Sequence, residues 1–316
     1  MIHRSIHFGF DVSGADAAIG TLHYPADENR LDEARLTGVV AADLSAAPWP
    51  LVVIMPGVNV APDSYRWLAA LLVQAGFCVV TYQAIGELGP AGTGISPSMD
   101  MAALAPDVIG TRCSSPAVPA VLTALAELVG PTAGAIDFGR VIVGGHSAGG
   151  TMALHNSDPA WIDGLRGSFS FAGHTMIATS FGHGEATVVP IPSKVPIMII
   201  GSAHDGVINA SRDRYRSDSA SHDPVERTFR EAVSRDEQDS WFVELADGNH
   251  FTICDPIDET SGRSFLESDL RAGDTASREV LARLIVTFAD QTCRNSGNDE
   301  LLAVLDSAAI SKWELR

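Results

Sequence analysis

The chain has 316 residues, 46% of them apolar, which is enough to build the core of one large domain. Thirty-nine acidic residues against twenty-one basic ones give a formal charge of −18, which disfavours nucleic acid and anionic lipid as partners. The four cysteines, Cys78, Cys113, Cys254 and Cys293, lack C-x-x-C spacing, so they read as free thiols with room for one disulfide, and neither a zinc site nor a redox motif is indicated.

The opening residues Met1 to Phe8 contain no apolar stretch of signal-peptide length, and no window approaches the roughly 18 residues of a spanning helix. A cytoplasmic location without membrane association is therefore the expectation, with the monomer and the homodimer both open. Residues 5–12 and 18–24 alternate like two antiparallel strands joined by the turn at 13–16. Residues 50–55 read as a buried strand, 63–75 as an amphipathic helix and 77–82 as the next strand. A helix is expected at 115–129, a strand at 141–144 and a helix at 147–156. Late strands follow at 168–172, 196–200 and 241–245, and a closing amphipathic helix at 275–290.

Apolar runs alternating with helical stretches predict an α/β fold with a mostly parallel central sheet of about eight strands flanked by helices, in a single domain over 1–316. The segments 27–47, 84–113, 174–194 and 209–239 are long, polar or glycine-rich, a length that marks functional loops or loops with structure of their own. Within the last of them, 224–235 reads as a surface helix, with a substrate-binding lid as the alternative reading of the segment. The segments 174–194 and 209–239 are candidate pocket-covering insertions, and 292–316 is read as a C-terminal extension.

The most informative motif is Gly145-His146-Ser147-Ala148-Gly149, placed between an apolar strand and a helix. G-x-S-x-G in that context is the nucleophile-elbow pattern and makes Ser147 the candidate nucleophile. The turn is too tight for side chains on either side of the serine, and the helix that begins there aims unpaired N–H groups at the place where an oxyanion would form. A serine hydroxyl needs a histidine to take its proton and a carboxylate to hold that histidine. Ser, acid, His is the chain order for this arrangement. Among the ten histidines, His250 follows the strand 241–245 through the turn-rich Ala246-Asp247-Gly248-Asn249. Asp205, directly after the strand 196–200, is the best-placed acid. Asp247 is the alternative, and Asp239 and Glu244 are weaker ones. The loop Pro56-Gly57-Val58 lets the Val58 N–H pair with that of Ala148 as an oxyanion hole. His174, just past the strand 168–172, is placed beside the acyl or alcohol site, and Gly57, His146 and Phe251 are expected to border the substrate as well. Trp161, Met176, Phe181, Trp241 and Phe251 itself are apolar groups near strand ends, a placement more common for core than for pocket. His174, His183 and His204 match no metal-ligand spacing, so no metal is expected.

Pro56-Gly57-Val58, Asp63-Ser64-Tyr65 through Leu71-Leu72, Ala75 to Val80, the elbow through Gly150, Gly201 to Val207, and Gly248-Asn249-His250-Phe251 together resemble the α/β-hydrolase superfamily over about residues 50–255. Within it the likeness is nearest to chlorophyllases, cutinase-like polyester hydrolases, platelet-activating-factor acetylhydrolases and dienelactone hydrolases. The resemblance implies a serine carboxylic-ester hydrolase acting on a small or medium-sized ester, with Ser147, Asp205 and His250 as its triad, Val58 and Ala148 as oxyanion donors, and no cofactor. Dienelactone hydrolases use cysteine at the elbow, so their substrate does not carry over. Secreted polyester hydrolases are exported and usually disulfide-bonded, features not read here. An acyltransferase or thioesterase would use the same triad, and a binding protein on the same fold is the other alternative.

Overall fold

The computed structural model describes residues 2–88, 92–128, 130, 132–192, 194–211, 223–234, 239–257, 266–267 and 275–316. In chain order the strands are β1 (Ile2–Gly9), β2 (Ala17–Ala26), β3 (Trp49–Met55), β4 (Cys78–Glu87), β5 (Thr93–Ser96), β6 (Ile136–His146), β7 (Leu165–Phe171), β8 (Ile197–Ser202), β9 (Trp241–Leu245) and β10 (Ile310–Leu315). The helices are α1 (Leu31–Thr37), α2 (Arg66–Gln74), α3 (Ala117–Glu127), α4 (Ala148–His155), α5 (Gly206–Ser211), α6 (Pro224–Ala232), α7 (Thr275–Arg294) and α8 (Asp299–Leu305).

One ten-stranded sheet runs in the order β1-β2-β4-β3-β6-β7-β8-β9-β10, with β5 hydrogen-bonded to β4. The block from β4 through β3, β6, β7 and β8 to β9 is parallel, whereas β1, β2, β5 and β10 attach antiparallel. The sheet is therefore mixed α/β, with ten strands where about eight were expected. The two additions come from stretches that sequence reading left irregular. β5 lies inside 84–113, where β4 turns back on itself, and β10 lies inside 292–316, which closes the sheet edge beside β9 after α8. The 27–47 segment likewise carries α1.

β3 explains why the centre of the sheet reads as an unbroken apolar run. Each of its residues is buried, because helices cover both faces. Val52 and Ile54 face the layer built by Leu68 and Leu72 of α2 and Leu284 and Phe288 of α7. Leu51, Val53 and Met55 face the opposite layer, with Val118 and Val121 of α3 and Met152 of α4. A third cluster packs Phe229 of α6 and Leu154 of α4 on Ile197 and Ile199 of β8. The elements that carry candidate chemistry leave the sheet at the C-terminal ends of β3, β6, β8 and β9, the edge where parallel sheets place their sites.

The predicted helix 224–235 corresponds to α6, which is capped by the Asp223 carboxylate accepting from the Val225 N–H at 2.9 Å. Residues 212–222 and 235–238 of the expected insertion 209–239 lie outside the described residues, as does Ser193 of the expected insertion 174–194. The described part of 174–194 is tied to itself by Ile177 N–H to Thr187 O at 3.1 Å and Val189 N–H to Thr175 O at 3.0 Å. All four cysteines are free thiols. Among the described residues no helix is long and apolar enough to cross a membrane.

Candidate active site

β6 ends at His146 and α4 begins at Ala148, so the helix starts one residue later than expected and Ser147 is the hinge between them. Its φ of 55° and ψ of −120° are costly for a residue with a side chain, by about 1–3 kcal/mol. The neighbours enforce them. The Ser147 N–H donates to Phe171 O at the end of β7 at 2.9 Å, and its carbonyl accepts the first helical bond from Thr151 at 2.9 Å. A Cβ on Gly145 would lie 2.5 Å from the Gly149 carbonyl carbon, and one on Gly149 would lie 2.3 Å from Met55 O. Both glycines are therefore required for the elbow to fold onto the end of β3.

The loop after β3 lies against the elbow. A Cβ on Gly57 would come within 2.9 Å of His146 Nδ1. Asn59, with φ at 57°, fixes the loop from its other side: its N–H donates to Ile95 O at 2.9 Å, and its Oδ1 accepts from the Ile95 N–H at 3.0 Å. The unforeseen β5 thus acts as the clamp on this loop. Among the described residues neither the Val58 nor the Ala148 N–H meets an acceptor, and both residues are partly open to solvent.

After β8, the chain turns so that Asp205 is buried and both its oxygens are engaged. Oδ1 accepts from the Ile208 N–H at 2.7 Å, and Oδ2 accepts from His250 Nδ1 at 2.8 Å. The loops after β8 and β9 are joined directly by Ala203 N–H to Leu245 O at 2.9 Å and His204 N–H to Gly248 O at 3.2 Å. Asp247, the alternative acid, is exposed. A carboxylate is an acceptor only, so His250 Nδ1 carries the proton of this bond, and in the neutral ring the lone pair is on Nε2.

The turn that bears His250 is closed by Asn249, whose Oδ1 accepts from the Phe251 N–H at 2.9 Å, and by Thr252, whose Oγ1 accepts from the Asn249 N–H at 2.9 Å. Both neighbouring helices hold it from outside. Trp67 Nε1 of α2 donates to Ile253 O at 2.8 Å, and Arg278 of α7 donates to Cys254 O at 2.9 Å and Thr252 O at 3.2 Å.

His250 is docked on the elbow through His146. The two rings lie 4.8 Å apart between centroids, and His146 Nε2 meets the His250 carbonyl at 2.9 Å. The acid–imidazole pair therefore abuts the residue immediately before Ser147.

His146 and Phe251, expected beside a substrate, are interior: His146 is fully buried, and the Phe251 ring stands edge-on to both His146 and His250. Gly57 is buried too. His174 is buried, with its backbone bound to Thr151 Oγ1 of α4. Burial holds its pKa down at about 4, against a smaller opposing pull from Asp205.

Sequence reading missed Glu267. Its carboxylate accepts from the Gly206 N–H at 3.2 Å and the Val207 N–H at 3.3 Å, capping the turn after Asp205. Burial raises its pKa, and the nearby Asp205 raises it further. No local pattern could have exposed this residue, which lies about sixty positions from the turn it caps. Tyr65 and Asn59 are hidden for a related reason: one reads as an ordinary helix-start aromatic, the other as a turn residue.

Compared with known protein families and with curated proteins, the chain matches none.

Proposed function

We propose that the protein is a serine hydrolase of α/β-hydrolase type that cleaves carboxylic esters of small or medium-sized substrates through an acyl-enzyme on Ser147. The observation that carries this reading is the buried Asp205–His250 pair at 2.8 Å, seated against His146 at a strand-to-helix turn whose serine has φ of 55°. In this reading Asp205 fixes the proton on Nδ1, leaving Nε2 of His250 as the base that takes the Ser147 proton. Ser147 attacks the ester carbonyl, and the Val58 and Ala148 N–H groups receive the negative charge on its oxygen. His250 then protonates the departing alcohol, activates a water against the acyl-enzyme and returns the proton to Ser147 as the acid leaves. No metal or organic cofactor enters any step.

The test is covalent labelling by a fluorophosphonate, with the adduct mapped by mass spectrometry, beside hydrolysis of short p-nitrophenyl esters. The expected result is a single adduct on Ser147 and loss of both signals in Ser147→Ala. Label on another residue, or hydrolysis that survives Ser147→Ala, would overturn the assignment.

A further inference from the structure

A buried polar chain runs beneath the site and joins three segments far apart in sequence. The Gly57 N–H lies 2.9 Å from Tyr65 Oη, Tyr65 Oη lies 3.1 Å from His146 Nδ1, and His146 Nε2 lies 2.9 Å from the His250 carbonyl oxygen. Tyr65 and His146 are both fully buried.

The direction of each bond follows from what its atoms can do. An amide N–H only donates, so Tyr65 Oη accepts from Gly57 and has its single proton left for His146 Nδ1. Nδ1 must then be bare, which puts the proton of the neutral imidazole on Nε2. That is where it is needed, because the His250 carbonyl only accepts. The ring is also held neutral: burial pushes its pKa well below the usual histidine range, and repulsion from His250 adds to this. A doubly protonated ring would point an N–H at a tyrosine whose own proton meets no other acceptor among the described residues.

We propose that Tyr65 and His146 are positioning residues that set the oxyanion loop, the elbow and the base loop to one another through this one-way relay. The inference rests on the hydrolase reading above. One end of the relay holds Gly57, the residue before the proposed donor Val58. Its middle is the residue before Ser147, and its far end is the backbone of the base. In a dry interior such bonds are stronger than in water, and a missing member leaves a buried group unpaired. The side chains around it are Phe171, Phe251 and the His250 ring, with Cys254 Sγ 4.0 Å from Nδ1. An all-apolar filling could supply the packing alone. The polar pair adds a fixed distance and orientation between parts that chemistry requires to be in register.

Two independent readouts test it. In the full-length wild type, nitrogen NMR of ring-labelled histidines should give His146 a protonated Nε2 and a bare Nδ1; a protonated Nδ1 would overturn the relay. Kinetically, Tyr65→Phe should lower kcat roughly ten- to a hundredfold through misplacement, with KM held within about threefold. His146→Gln, whose amide reaches as far as Nε2, should recover part of the activity lost in His146→Leu. An unchanged kcat in Tyr65→Phe, or equal losses in the two His146 variants, would overturn the positioning role. If Tyr65→Phe does not fold, the ring-nitrogen assignment and the His146 comparison still decide. Wild-type protein that takes no label at Ser147 would instead remove the hydrolase reading, and the relay's catalytic role with it.

Discussion

Asp205 and His250 meet at 2.8 Å through Oδ2 and Nδ1, and the other carboxylate oxygen is held by the Ile208 N–H at 2.7 Å, so the acid can neither rotate nor exchange its partner without breaking a helix-start bond. Asp205→Asn would set an amide against the imidazole, favouring the tautomer with its proton on Nε2. The expected loss in kcat is about four orders of magnitude with little change in KM, measured on a p-nitrophenyl ester. Asp247→Asn, at an exposed site, should stay within twofold of wild type by comparison. A loss below tenfold for Asp205→Asn would remove this residue from the mechanism.

The clamp between Asn59 and Ile95 makes a graded prediction. Asn59→Ala removes the acceptor for the Ile95 N–H and leaves alanine at φ of 57°, a conformation that costs a residue with a Cβ about 1–2 kcal/mol. Asn59→Gly loses the same acceptor without the steric cost. Urea denaturation should therefore rank wild type above Asn59→Gly and Asn59→Gly above Asn59→Ala. Both variants should turn over more slowly, because the Val58 amide is no longer held. Full activity in both would separate this loop from the chemistry.

Gly149 has no room for a methyl group. The nearest obstacle, Met55 O at 2.3 Å, is backbone at the end of a fully buried strand and cannot step aside. Gly149→Ala is expected to cost about 3 kcal/mol or more, read as a fall in melting temperature or as insoluble protein. Gly9→Ala, where a Cβ meets nothing within 4 Å, is the matched control and should stay within about 0.5 kcal/mol of wild type.

Acid should weaken the fold through its buried histidines. Burial lowers the pKa of His155 from 6.5 to about 4, assisted by repulsion from His174 and His183. A histidine whose folded pKa is depressed contributes its full stability above pH 6.5 and loses it as the pH falls toward 4, since over that window the unfolded chain binds a proton that the folded one refuses. For His155 the whole loss is on the order of 3 kcal/mol. Chemical denaturation at pH 7 and pH 5 should show a clear drop in the wild type and a smaller drop in His155→Gln. Equal drops would place the acid sensitivity elsewhere.

Much of the site was legible because its parts are local. Ser147 sits in a pentad whose glycines are dictated by contacts within a few residues, and Asp205 and His250 each follow a strand by a short turn. What escaped were relationships between distant segments. The antiparallel strand β5 has only four residues and β10 buries none of its six, so neither carries a core-facing apolar pattern, and each pairs along a neighbouring strand, β4 or β9. Tyr65, Asn59 and Glu267 act through backbone amides brought near them only when the chain is folded. His146 and Phe251, which adjoin the candidate residues Ser147 and His250, are buried at the end of β6 and in the closed turn around Asn249.

The arm that carries His250 is riveted to α2 by Trp67 and to α7 by Arg278, in each case through carbonyl groups of the turn itself. Displacing the imidazole would mean breaking these bonds to both helices, so the turn is held in place from two sides. If the protein is the hydrolase proposed above, the imidazole side of its site keeps one shape for every substrate, and breadth of substrate choice has to come from other walls.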